Sequence, residues 1–71
     1  MDSIEFNFIT KFGDRIKYIC EKKSAYGRIT RVIRYDVHLY INNYYKRTYD
    51  NVYTYSYSDL QNQINILFNN F

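Results

Sequence analysis

Apolar residues recur at every second position over most of the first half of the chain, and this period of two most constrains the fold. Ile4, Phe6 and Phe8 alternate with Glu5 and Asn7. Ile16, Tyr18 and Cys20 alternate with Arg15, Lys17 and Glu21. A third run, Arg28 to Ile41, puts Ile29, Ile33, Tyr35, Val37, Leu39 and Ile41 on one side, and Arg28, Thr30, Arg34, Asp36, His38 and Tyr40 on the other. A side-chain period of two belongs to half-buried strands. Gly13-Asp14 separates the first two runs as a turn, so residues 3 to 22 read as a β-hairpin, followed by a polar loop over Glu21 to Gly27. Fourteen residues is long for one strand, so a bend or bulge is expected between Arg31 and Asp36.

Asn42-Asn43 marks the next turn, because asparagine tolerates positive φ better than other non-glycine residues. Tyr44 to Tyr49 returns as a fourth strand. Asp50-Asn51 is either a further turn, giving a fifth strand over Val52 to Tyr57, or a feature within the fourth. The period then changes to that of a helix. Leu60, Ile64, Leu67, Phe68 and Phe71 share one face, Ser58 is placed as N-cap with Gln61 three residues later, and Asp59 suits the positive end of the helix dipole. The fold class is therefore α+β: a four- or five-stranded antiparallel meander with one C-terminal helix packed on one face. With 71 residues the chain is a single small domain, 1–71, with a thin core.

Composition narrows the function. One cysteine, Cys20, excludes an internal disulfide, and one histidine, His38, leaves no set of zinc ligands. Histidine and cysteine fall on different strands, so no nucleophile–base pair is legible; the chain reads as a non-enzyme without cofactor or metal. His38 beside Asp36, Tyr40 and Arg34 is the one cluster that suits acid–base work on an RNA phosphate, and a surface histidine in a strand is the commoner arrangement. Cys20 reads as a small buried apolar residue. Residues 1–10 carry Asp2 and Glu5 and no long apolar run, which points to a soluble cytoplasmic protein with no membrane contact.

Charge is uneven. Between Lys11 and Arg34 eight basic side chains face two acidic ones, whereas the remainder has two basic against five acidic. Arg15, Lys17, Arg28, Arg34 and Lys46 form the candidate basic face. Tyrosine is the other signal: residues 40–57 hold seven of the ten in the chain. Tyr44, Tyr45, Tyr49, Tyr53, Tyr55 and Tyr57 exceed what a thin core accommodates, so some rings are expected to face outward as partner-binding residues. Phe, Tyr, Asn, Ile and Lys make up 37 of 71 residues, against three Ala, Gly and Pro together. That is the coding bias of an AT-rich genome such as a phage or mobile element.

Two function classes follow. The first is a stoichiometric, non-catalytic inhibitor that occludes a host protein or nucleoprotein complex that handles nucleic acid, such as a CRISPR effector or another defence nuclease. The second is a small DNA- or RNA-binding domain using the basic, tyrosine-rich sheet face. For the second, the element order resembles the sheet-plus-C-terminal-helix DNA-binding domains of phage-type integrases, which implies strands in the major groove; the resemblance is topological and carries over no residues. A meander also leaves a strand edge free, through which two copies can pair as a homodimer.

Overall fold

The computed structural model describes residues 3–26 and 32–71. Strands β1 (Ser3–Ile9), β2 (Arg15–Tyr26), β3 (Val32–Ile41) and β4 (Tyr44–Thr54) form one antiparallel sheet in the order β1-β2-β3-β4, and helix α1 (Tyr57–Asn69) closes the chain. This is the expected α+β meander with four strands.

The alternation seen in sequence is the alternation of burial. Ile16, Tyr18 and Cys20 of β2 and Tyr35, Val37 and Leu39 of β3 are buried beneath Leu60 and Ile64 of α1. Ile4, Phe6 and Phe8 on one flank, and Tyr49 and Val52 on the other, are half-buried against that core. Full burial of a Leu or Ile side chain contributes roughly 1.5–3 kcal/mol, so Leu60 and Ile64 are the main attachment of the helix. Two aromatic stacks hold it over β1: Phe8 on Phe68, with centroids 4.4 Å apart, and Phe6 on Tyr57 at 5.8 Å.

Two turns lie at one end of the sheet. In the first, Gly13 has φ +89° and its amide donates to the Thr10 carbonyl at 2.9 Å. In the second, Asn42 and Asn43 have φ of 52° and 70°, as a two-residue hairpin loop of the I′ kind requires. Asn42 also ties the two turns together. Its Oδ1 accepts from the Arg15 amide at 2.9 Å and its Nδ2 donates to Asp14 Oδ1 at 3.1 Å.

Three local expectations change and two are refined. The polar segment after Glu21 is not a loop, because β2 continues to Tyr26. The irregularity expected between Arg31 and Asp36 falls at that level, with the extra residues carried by the two flanking strands. Lys23 is the extra residue on β2, between the pairs Lys22↔Tyr35 and Ser24↔Arg34, and a bulge on the partner strand bends the pair as well as one in β3 itself. Asp50-Asn51 is a second bulge, two residues opposite Asp36 within a continuous β4, and Lys46 is a third. Asn51 takes φ 59° there, and Asp36 Oδ1 accepts from its amide at 3.3 Å. Finally, the helix begins two residues early. Ser56 rather than Ser58 is the N-cap, accepting from the Asp59 amide at 3.1 Å, while Asp59 Oδ2 accepts from the Tyr55 amide at 2.9 Å. Ile29 lies outside the described residues, and Phe71, expected on the helix stripe, follows the helix end and is exposed.

Candidate interaction surfaces

The sheet face opposite the helix carries a chain of polar groups built across three strands. His38 pairs in register with Ile19 of β2 and Thr48 of β4, which sets its ring between the side chains on either side. Its Nε2 lies 3.2 Å from Glu21 Oε1, its Nδ1 lies 2.8 Å from Thr48 Oγ1, and Thr48 Oγ1 lies 2.7 Å from the Tyr45 hydroxyl. A carboxylate only accepts, so with ionised Glu21 and neutral imidazole Nε2 carries the proton and donates to Glu21. Nδ1 then accepts from Thr48, and Thr48 accepts from Tyr45. Beside this chain the Tyr40 and Tyr45 rings meet edge to face at 5.8 Å, and the Lys17 ammonium sits 5.5 Å from the Tyr40 ring centre.

A second network occupies the same face nearer the helix start. Arg34 Nη1 donates to Asn51 Oδ1 at 3.0 Å, and Lys23 lies 3.8 Å from Asp36. Both networks interleave acid with base. Of the candidate basic face, Lys17 and Arg34 lie here among Glu5, Glu21 and Asp36, and Arg15 lies at the end of β2. Lys46 instead lines a hollow beside the helix C-terminus with Leu39, Ile41, Arg47, Tyr49, Leu67, Asn70 and Phe71. Arg28 is outside the described residues. The structure thus brings Lys17 and Arg34 onto one face without making that face uniformly cationic.

The six candidate tyrosines are likewise divided. Tyr45 and Tyr53 pair with Tyr40 and Arg34 on the open face. Tyr49 packs half-buried against the core with the Arg47 guanidinium 4.5 Å over its ring. Tyr57 stacks on Phe6 on the helix side. Tyr44 begins β4 opposite Ile41, and Tyr55 lies in the short link before α1; both are exposed. Each bulge in β4 inserts one residue and so reverses which parity faces the core, which scatters a run of tyrosines that look continuous in sequence.

An exposed apolar feature at the turn end follows no strand or helix period. At the turn end of the molecule Ile9 is 71% exposed, Phe12 82% and Phe71 59%. With Phe68, and with Thr10, Lys11 and Asp14 at the rim, they line a hollow of about 550 Å³. Phe71 also borders the hollow that contains Lys46 and Arg47, about 500 Å³ in volume. The available signal was an aromatic residue in a turn, the Phe of Lys11-Phe12-Gly13-Asp14, where no strand or helix period buries it.

Cys20 is buried in the core beneath the helix. Burial pushes the Cys20 thiol up to about 12, so the reactive thiolate is suppressed at neutral pH. Neither hollow at the turn end includes His38, Glu21 or Thr48. Among the described residues no three His, Cys, Asp or Glu side chains are grouped to hold a metal, and no helix is long and apolar enough to cross a membrane. No protein-family model, curated protein or solved structure matches the chain.

Proposed function

We propose that the chain is a non-catalytic binding protein that docks a protein partner at its turn end and acts by occlusion. The observation that carries this reading is the outward display of Ile9, Phe12 and Phe71 around a hollow of about 550 Å³. Contiguous apolar exposure of this kind marks interaction sites on small soluble domains, and aromatic anchors supply most of the energy of a protein interface. Lys11, Lys46 and Arg47 stand against the single acid Asp14 around the two adjoining hollows, so the rims are cationic on balance and the fitting partner presents an apolar anchor in a mildly acidic surround.

The AT-rich composition supports the narrower form of this reading: a phage or mobile-element inhibitor of a host nucleic-acid-handling protein, such as a CRISPR effector or another defence nuclease, in the host cytoplasm. Direct nucleic-acid binding is the weaker alternative. Phosphate tracking needs a cationic surface, and the open face alternates Lys17, Lys23 and Arg34 with Glu5, Glu21 and Asp36.

The test is capture with tagged protein from a low-GC bacterial lysate, with and without nuclease, repeated with Phe12→Ser and Phe71→Ser. A protein that survives nuclease and is lost in both variants supports the proposal. Recovery of nucleic acid alone, abolished by nuclease and unaffected by the two substitutions, overturns it in favour of the alternative.

A further inference from the structure

The two edges of the sheet are unlike. On β4 the extra residues at Lys46 and Asp50-Asn51, with Asn51 at φ 59°, interrupt the row of outward backbone groups. On β1 the pairing to β2 runs one to one from Ser3↔Glu21 to Ile9↔Arg15 without a bulge. Glu5 is the single charged side chain of β1, and the chain has no proline. An uninterrupted, nearly uncharged edge is a template for another strand, whereas bulges are a common protection against one. Ile4, Phe6 and Phe8 also remain only half-buried on this flank, leaving apolar surface for a neighbour to cover.

We propose that β1 pairs antiparallel with β1 of a second copy, about a two-fold axis normal to the sheet that passes midway between the two Phe6 residues. Such an axis keeps both helices on one side of a continuous eight-stranded sheet. Residues opposite one another must point to the same side, so the axis lies level with a residue rather than with the peptide between two. Centred on Phe6, all seven residues of β1 find a partner: Phe6 meets Phe6 of the second copy, Ile4 meets its Phe8, and Glu5 meets its Asn7.

That last pair selects the register. Asn7 Nδ2 already donates to Glu5 Oε2 within one strand at 3.1 Å, so this amide and carboxylate are a matched donor and acceptor. Centring on Glu5 would set two carboxylates face to face and pair only five residues, and like charges directly opposite are destabilising. The central Phe6 pair draws in Tyr57, whose ring stacks on Phe6 at 5.8 Å. The contact is therefore a symmetric aromatic cluster flanked by two amide–carboxylate pairs.

Sedimentation across the micromolar range tests the dimer, and two exposed positions test its register. Asn7→Glu sets Glu against Glu5 twice by symmetry and weakens association by about tenfold, while Asn7→Lys leaves it equal or tighter. Both side chains lie on the open face, so circular dichroism of each variant stays that of the parent. Mixing Glu5→Cys with Asn7→Cys gives a disulfide between copies under mild oxidation. Glu5→Cys alone does not, because its two copies are offset by two residues, beyond disulfide reach. A monomer at every concentration, an Asn7→Glu dimer as tight as the parent, or cross-linking of Glu5→Cys alone as readily as the mixture overturns the proposal. The first of these results, with a protein partner still captured, leaves the binding reading of the turn end standing.

Discussion

Replacing Tyr18 by phenylalanine should stabilise the fold, and increasingly so at alkaline pH. Tyr18 is 0% exposed, its ring packs edge-on against Phe8 at 6.0 Å, and its hydroxyl has no hydrogen-bond partner. A buried, unsatisfied hydroxyl costs roughly 1–3 kcal/mol, and part of that is returned when one oxygen leaves a small void, so the net gain is about 1 kcal/mol. For a domain of this size that raises Tm by roughly 4–8 °C. Burial, reinforced by the nearby Tyr49, pushes the Tyr18 phenol from 10.0 up to about 12. Between those pH values the unfolded chain has released this proton and the folded chain has kept it, so the native state binds more protons and stability falls as pH rises. Across that window the loss is roughly 2–3 kcal/mol. Tyr18→Phe removes it. Cys20, pushed up to about 12 by burial, adds a loss of the same sign in both proteins and cancels from the comparison. Urea denaturation followed by circular dichroism at neutral pH and near pH 11 measures the difference. A variant less stable than the parent at neutral pH would show that the hydroxyl has a partner after all, and an unchanged alkaline slope would show that Tyr18 titrates in contact with water.

Other substitutions probe the features on which the fold depends. Ser56→Ala should cost about 1 kcal/mol through loss of the helix cap, whereas Ser58→Ala, inside the first turn, should stay within roughly 0.5 kcal/mol; denaturation of the pair locates the cap. Leu60→Ala should cost roughly 2–5 kcal/mol, comparable with the whole stability of so small a domain, and so abolish the cooperative thermal transition. Asn42→Ala loses a residue suited to positive φ together with both side-chain bonds that join the two turns, and should lower the urea midpoint by an amount worth about 2 kcal/mol, while Asn43→Gly, at φ 70°, should be neutral or mildly stabilising.

The parts of the fold that sequence discloses are those that a single physical cause determines. Burial on one face imposes period two on Ile16, Tyr18 and Cys20, and all three are buried as that period requires. Leu60 and Ile64 follow from period 3.6 in the same way. Asn42-Asn43 is legible because positive φ is chemically selective. Bulges are not, since the inserted residue needs no special type: Lys23 and Lys46 look like ordinary polar positions, and only Asn51 has a backbone that favours its side chain. The cap lies at Ser56 although Ser58 is an equally good acceptor, because the choice depends on where Asp59 can reach back to the Tyr55 amide.

The same limit explains why the surface was harder to read than the core. Conserved parity along β4 would set Tyr45, Tyr49 and Tyr53 on one face, and the insertions on either side of Tyr49 turn it alone toward the core. Partnership across strands is lost from view for the same reason. His38 stands in sequence beside Asp36 and Tyr40, yet its bonds run to Glu21 and Thr48, because neighbours on one face of a strand are two residues apart while those across the sheet are nearer. A histidine on a strand is therefore better judged by the strands that flank it than by its own. Applied to the basic residues, the rule predicts what the open face shows: Lys17 and Arg34 lie on strands whose register also brings Glu21 and Asp36 into the same plane. Net charge along the chain overstates net charge on a face whenever the sheet pairs a basic strand with an acidic position. Apolar exposure has no such compensation. Phe12 and Phe71 stay outside whatever their neighbours do, and this makes the turn end, rather than the tyrosine run or the basic face, the stronger ground for a binding function.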